Sequence, residues 1–209
     1  MRIIRKFKKK THLKKTKIII VTGSIGMGKS TTLSLFKYLG YPFFDADYFA
    51  RKVVEFNTQG FQRLKKAFPS VIKKNNIDRK KLGEIVFSNP EYLKKLERII
   101  HPLVKKEREH FIKVHRLRRS KVIVLDIPLF FEKENKNFYS NIFVLTAPEF
   151  IQKQRVLRRK GMNEQKFINI LDAQIPDIDK RQKSSQIIQS GLGKRYVLNK
   201  IKFLKKKLG

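Results

Sequence analysis

The segment Gly23-Ser24-Ile25-Gly26-Met27-Gly28-Lys29-Ser30 has the spacing G-x-x-x-x-G-K-S, and it limits what this chain can fold into more than any other stretch. Glycines at these positions let successive backbone N–H groups turn inward around a phosphate chain, and the positive end of a following helix adds to their field. The flanks fit that role. Ile18-Ile19-Ile20-Val21 is a short β-branched run of the kind buried on both faces of a parallel sheet. Ser30–Leu39 spaces Leu33, Leu35, Phe36 and Leu39 along one helical face, with Gly40 as the stop. A P-loop in this setting predicts binding of a nucleoside triphosphate by residues 23–30 and Thr31, with Lys29 on the β- and γ-phosphates and the Ser30 hydroxyl on Mg²⁺. The bland alternative is a tight strand–helix turn that binds nothing.

The rest of the chain repeats the strand–helix alternation. Tyr41–Phe44 is a second short strand ending at Asp45, Val122–Leu125 a third ended by Asp126, Ile142–Leu145 a fourth, and Ile187-Ile188 a short last one. Pro148 opens a helix to about Lys160, Asn163 caps another, and Lys194–Leu208 carries an apolar row. Residues 48–118 read as mostly helical, with Asp78 and Asn89-Pro90 as start signals and Pro102 as a kink in the longest helix. The predicted fold is α/β: a doubly wound parallel sheet of about five strands, of the P-loop nucleotide-kinase type, with a helical insertion and a lid. The expected organisation is a basic, poorly ordered arm at 1–16 and a core at 17–208. Within the core, 48–118 is the insertion and about 148–176 the lid region.

Composition enters as a competing clue. Fifty Lys and Arg against seventeen Asp and Glu leave a net charge of +33, which invites a nucleic-acid partner. Lysine outnumbers arginine 35 to 15, however, where phosphate-reading surfaces often favour the arginine fork. The abundance of Phe, Tyr, Met, Ile, Asn and Lys also follows AT-rich codons, so the charge reads as compositional background. With no cysteine, disulfides, thiolate zinc sites and a cysteine nucleophile are excluded. Apolar runs stop far short of the roughly 18 residues of a membrane span, and no apolar stretch in the arm makes it a secretory signal. A soluble, cytoplasmic protein is expected.

Three features bear on what receives the phosphate. Asp45 and Asp47 stand at the end of the second strand, where doubly wound sheets face their ligands. A carboxylate there can take the proton of an attacking hydroxyl, and either Asp can instead cap the helix starting near Tyr48. Asp126, after its apolar run, is either placed to hold Mg²⁺ directly or through water, or is simply an Asp in the turn that ends a buried strand. Arg155 and Arg159 are four apart on a helix, suited to closing over a nucleotide or to a solvated basic face. His101-Pro102 has no metal-ligand spacing around it.

Together the segments V-T-G-S-I-G-M-G-K-S-T (21–31), L-G-Y-P-F-F-D-A-D-Y-F-A-R-K-V-V (39–54), H-P-L-V (101–104), D-I-P-L-F-F-E (126–132) and Q-K-Q-R-V-L-R-R (152–159) resemble the dephospho-coenzyme A kinase family. The resemblance spans about 17–208. It implies Mg²⁺-dependent transfer of the ATP γ-phosphate to the ribose 3′-hydroxyl of dephospho-coenzyme A, the last step of coenzyme A synthesis, by a monomer or weak homo-oligomer. It further implies Asp47 as general base, Arg155 as lid arginine with Arg159 a second, and Thr22 at the reacting phosphates. Arg51, His101 and Pro102 fall on the acceptor side, and 48–118 receives the coenzyme A moiety. Departures from the family pattern are Ser24 and Met27 in the loop, expected to point away from the phosphates, and residues 184–191 near the adenine pocket. A nucleoside or nucleotide kinase and a nucleic-acid-binding ATPase are the rival readings; no aromatic–basic RNA-binding segment supports the latter, and no specific nucleic-acid or membrane partner is expected.

Overall fold

In the computed structural model, which describes residues 16–133 and 139–208, the β-branched run before the loop forms the central strand. That strand, β1 (Lys17–Thr22), pairs with β5 (Val122–Asp126) on one side and β6 (Asn141–Thr146) on the other. β2 (Phe43–Asp45) extends the sheet beyond β5 and β7 (Gln186–Gln189) beyond β6, giving the all-parallel order β2-β5-β1-β6-β7. The expected doubly wound sheet of five strands is present. The arm expected at 1–16 lies, apart from Thr16, outside the described residues.

Each central strand is buried on both faces, which is why it reads as a continuous apolar run. Ile19, Val21, Val124, Phe143 and Leu145 face α1 (Lys29–Tyr38) and α10 (Lys194–Leu208), packing on Leu33, Phe36, Val197 and Ile201. Ile20, Phe44, Ile123, Leu125 and Val144 face the opposite way, toward Ile112 of the long helix α5 (Pro90–Leu117) and Phe130 of the short helix α6 (Phe130–Lys133). Register brings function to one edge: Asp45 lies beside Asp126, and Asp126 beside Val21, so the carboxyl ends of three strands meet where the loop begins. Strand order reverses about β1, the crevice position where such sheets bind ligands.

Between β2 and β5 the chain forms α2 (Ala46–Lys52), α3 (Gln59–Ala67), α4 (Arg79–Ser88) and α5, around a core of Val54, Leu64, Phe68, Val71 and Val86. The caps are the ones their residue types favour: Thr58, Asp78 and Asn89 each accept a backbone N–H of the helix they start. The helical reading of this segment needs one correction. A two-residue hairpin, β3 (Ile72–Lys73) with β4 (Asn76–Ile77), interrupts it, turning on Lys74 and Asn75 at φ 44° and 66°. Two positive-φ residues make the hairpin turn whose twist suits its strands, and Asn tolerates that region; strands this short leave no periodic trace in the sequence. α5 runs through Pro102 as one element.

The insertion is packed closely where α3 begins. A Cβ on Gly60 would stand 2.0 Å from the Val53 carbonyl oxygen and 2.9 Å from Leu103 Cδ1, whereas one on Gly83, inside α4, meets nothing nearer than 3.8 Å. Gly60→Ala is therefore expected to destabilise by about 1–3 kcal/mol in urea titrations. Gly83→Ala should stabilise by about 0.5–1 kcal/mol, through helix propensity alone.

Candidate active site

A cavity of about 1040 Å³ opens over the carboxyl edge of the sheet, and residues 23–34 form one wall of it. Backbone geometry explains the glycines. Gly26 and Gly28 adopt φ of 78° and 79°, and a Cβ would meet Val156 Cγ2 at 2.7 Å in the first and Ser190 Oγ at 2.8 Å in the second. Gly28 is also the N-cap of α1, with no side chain to occupy the first-turn amides, which remain for an anion.

The loop is held from behind by its neighbours. Gln152 and Arg155 of α7 (Glu149–Leu157) donate to the Ile25 and Gly26 carbonyls at 2.7 and 3.4 Å. Gln174, which follows α8 (Glu164–Asp172), accepts the Ile25 N–H at 3.2 Å. The Arg155 guanidinium also donates to Ser190 Oγ at 2.9 Å and to the Ser190 carbonyl at 3.0 Å. Ser24 and Met27 are engaged on the protein side: Ser24 Oγ accepts from Lys180 Nζ at 3.1 Å, and Met27 Sδ accepts the Ala147 N–H at 3.1 Å.

Opposite the loop stand the carboxylates. Asp45 Oδ1 accepts the Tyr48 N–H at 2.8 Å and so is the cap of α2. Asp47, one residue inside that helix, makes no hydrogen bond or ion pair with the described residues and lines the cavity with Arg51. The cap falls to Asp45, which leaves the Asp47 carboxylate facing the cavity. Asp126 lies 3.8 Å from Lys29 Nζ, and its Oδ1 is buried with no hydrogen-bond partner among the described residues. Burial pushes the Asp126 carboxyl up to about 6, with Lys29 opposing and Asp45 and Asp47 assisting. Burial likewise lowers Lys29, against the pull of Asp126 and Asp47. The loose pair does not offset the desolvation of either charge.

A buried carboxylate oxygen with no hydrogen bond among the described residues and only the loose Lys29 contact, in the same cavity as Ser30, suits a hard divalent cation. No cluster of three His, Asp or Glu residues forms a self-sufficient metal cage among the described residues.

Most of the predicted residues converge here: 23–31, Asp47, Arg51, Asp126, Arg155 and Arg159 all line the one cavity. Three do not. Thr22 is fully buried under the loop and donates from Oγ1 to the Pro128 carbonyl at 3.1 Å. His101 and Pro102 line a separate cavity of about 340 Å³ on α5 with Lys94, Glu97 and Arg98. Arg159 stands beyond the end of α7, its N–H bonded to the Val156 carbonyl, so it shares the cavity with Arg155 without sharing a helix. Sequence reasoning missed Gln152, Gln174, Lys180 and Ser190. Gln152 lies in the 152–159 motif and Ser190 in the 184–191 segment, but neither marks its contact, and nothing in a lysine-rich sequence marks one lysine as buried.

A family model described as dephospho-CoA kinase matches residues 17–193. The dephospho-CoA kinase of Agrobacterium fabrum is 37% identical over 192 residues, 92% of this chain and 98% of that protein. That of Bartonella quintana is 41% identical over 175 residues, 84% and 89% of the two chains. Among solved structures, a Thermus thermophilus protein superposes with TM-score 0.80 at 31% identity, covering 94% of this chain and all of the other. The dephospho-CoA kinase from Campylobacter jejuni gives 0.68 at 28% identity, covering 91% and 98%.

A raised carboxyl pKa means that the folded protein holds the Asp126 proton more tightly than the unfolded chain does. The resulting cost to folding is small below the ordinary value of 3.8, grows with pH, and is complete above about 6. Asp126→Asn should therefore stabilise the ligand-free protein by about 1–3 kcal/mol at pH 8, and by much less at pH 4. Denaturant titration at the two pH values checks this.

Proposed function

The chain belongs to the dephospho-CoA kinase family, and we propose how its cavity transfers the γ-phosphate of ATP to the ribose 3′-hydroxyl of dephospho-coenzyme A, the step that completes coenzyme A. The observation that carries the reading is the Asp47 carboxylate, unpartnered among the described residues and in one cavity with Lys29 and the P-loop.

ATP lies with its phosphates in the loop, where backbone N–H groups and the start of α1 receive the negative charge. Lys29 moves from its loose pairing with Asp126 to the β- and γ-phosphates. Ser30 and Asp126 would hold Mg²⁺, which would neutralise charge on the phosphate oxygens. The acceptor hydroxyl attacks the γ-phosphorus, its proton passes to an Asp47 oxygen, and the bond to the β–γ bridging oxygen breaks to release ADP. Since phosphoryl transfer is loose, Asp47 contributes as much by aligning the hydroxyl as by taking its proton.

Arg155 is already braced against Gly26 and Ser190 beside the loop, and with Arg159 it offsets charge on the transferring group. Thr22, in this reading, acts from beneath the loop, fixing the end of β1 to the Pro128 turn. Arg51 lies on the acceptor side of the cavity, while His101, Pro102 and the surrounding helices 48–118 take the remainder of the coenzyme A moiety. No helix among the described residues is long and apolar enough to cross a membrane. The working form is a cytoplasmic monomer or weak homo-oligomer with no specific nucleic-acid partner, and its net charge of +33 draws in two polyanionic substrates.

In a coupled ADP-release assay, wild type should turn over with dephospho-coenzyme A and not with a panel of nucleosides and nucleotides. Asp47→Asn should lower kcat by about 10²–10⁴-fold. Preference for a nucleoside acceptor would replace the acceptor assignment, and normal turnover in the variant would remove Asp47 from its role. The charge makes a separate prediction: kcat/KM for both substrates should fall between about 50 and 300 mM salt while kcat holds. Nucleic acid should be released near 150 mM salt, and retention there would favour a dedicated nucleic-acid surface.

A further inference from the structure

Lys180 is the only fully buried lysine among the described residues, on α9 (Asp177–Gln182), outside the cavity. Its ammonium pairs with Glu132 Oε1 at 2.8 Å and donates to Ser24 Oγ at 3.1 Å. Glu132 ends the D-I-P-L-F-F-E segment, and the same Oε1 accepts the Ile175 N–H at 3.1 Å. Ile175 follows Gln174, whose Oε1 holds the Ile25 N–H. The pair therefore has two arms, one to the second loop residue directly and one to the third through Gln174. α9 itself is tied to β6, since Thr146 Oγ1 donates to Asp177 Oδ2 at 2.7 Å and Arg181 pairs with that same oxygen at 3.2 Å.

A buried ion pair is a weak way to gain stability, because desolvating both charges offsets much of their attraction. It is an effective way to fix geometry. An apolar contact leaves a hydroxyl or an amide free to rotate, while a charged donor and acceptor at under 3.2 Å set direction as well as distance. Both arms end on the loop whose amides must converge on phosphate.

We propose that Lys180 and Glu132 are positioning residues of the P-loop, holding Ser24 and, through Gln174, Ile25 in the conformation that receives the ATP phosphates. The proposal rests on the kinase reading above and adds residues that the phosphates themselves do not touch. Lys180 acts through Ser24, so losing either should have the same consequence, and losing both should add nothing.

The test uses full-length Ser24→Ala, Gln174→Met, the charge-neutral pair Lys180→Met/Glu132→Gln, and the triple variant joining that pair to Ser24→Ala. Melting temperature, kcat, KM for each substrate and the affinity for a fluorescent N-methylanthraniloyl ATP are measured on each. Ser24→Ala, which leaves Lys180 its ion pair with Glu132, should stay folded with a modestly lowered melting temperature and lose about 5–20-fold in kcat/KM for ATP, with KM for dephospho-coenzyme A within twofold; the pair variant should fall as far in kcat/KM, and the triple variant no further. Gln174→Met should show a loss of its own in kcat/KM for ATP. Unchanged kcat/KM for ATP in Ser24→Ala, or losses that simply add in the triple variant, would overturn the proposal. Should the pair variant fail to fold, Ser24→Ala and Gln174→Met still decide it, one arm each. A wild type that binds the ATP analogue without phosphorylating dephospho-coenzyme A would sink the kinase reading alone, and the analogue's affinity across the variants would still test the brace.

Discussion

Most of the contacts around the cavity answer to one constraint: the eight residues 23–30 must hold an open backbone turn, with positive φ at Gly26 and Gly28, at the end of the central strand. Convergent amides repel one another, and an open loop loses entropy on being fixed. The chain meets the requirement from outside the loop. β1 sets where it starts, α1 where it ends, and side chains from Gln152 to Ser190 take up outward-facing loop groups. The glycines follow from this arrangement as much as from the ligand. Gly26 and Gly28 are glycine because Val156 and Ser190 already stand where a Cβ would go. The region after β6 thus supplies both lining for the cavity and the wall that holds the loop from behind.

Two ion pairs near the loop show how distance assigns different work to the same chemistry. Lys180 and Glu132 meet at 2.8 Å, buried, with Glu132 Oε1 also accepting the Ile175 N–H and Lys180 also donating to Ser24, although Glu132 Oε2 has no hydrogen-bond partner among the described residues. Lys29 and Asp126 stand 3.8 Å apart, and burial drives both toward their neutral forms. That second pair is a poor salt bridge, and in the proposed mechanism polyphosphate and a divalent cation would each offer one partner a better contact. Ligand binding then recovers desolvation already spent on folding.

How much of this was legible in the sequence depended on whether a feature is local. The five strands and the P-loop were readable because continuous β-branched runs and glycine spacing encode burial and backbone shape directly. Asp45 and Asp47 were readable as a pair but not as individuals: only the structure assigns the cap to Asp45, and both spacings fit a helix start. The β3–β4 hairpin escaped because four residues carry no period. Arg155 and Arg159 fit a shared helix face only while the helix was assumed to reach 160; it ends at Leu157. Lys180, Gln174 and Ser190 were invisible for a different reason. Their meaning lies wholly in long-range contacts, across sequence separations of 156, 149 and 35 residues.

The charge of +33 illustrates the same limit from the other side. Composition counts cations and cannot rank them. Lys52, Lys73, Lys94 and Lys153 form ion pairs at exposed positions, the kind that contribute little and are screened by salt. Lys29, Arg155 and Lys180 differ from them in being held at fixed positions around the P-loop. A lysine on the surface costs little to keep, so a biased composition accumulates there. A lysine with no exposure is tolerated only with its partners in place, so Lys180 cannot be a product of drift alone. In a chain this basic, the partners that hold a cation in place, and not its presence, set it apart from the background.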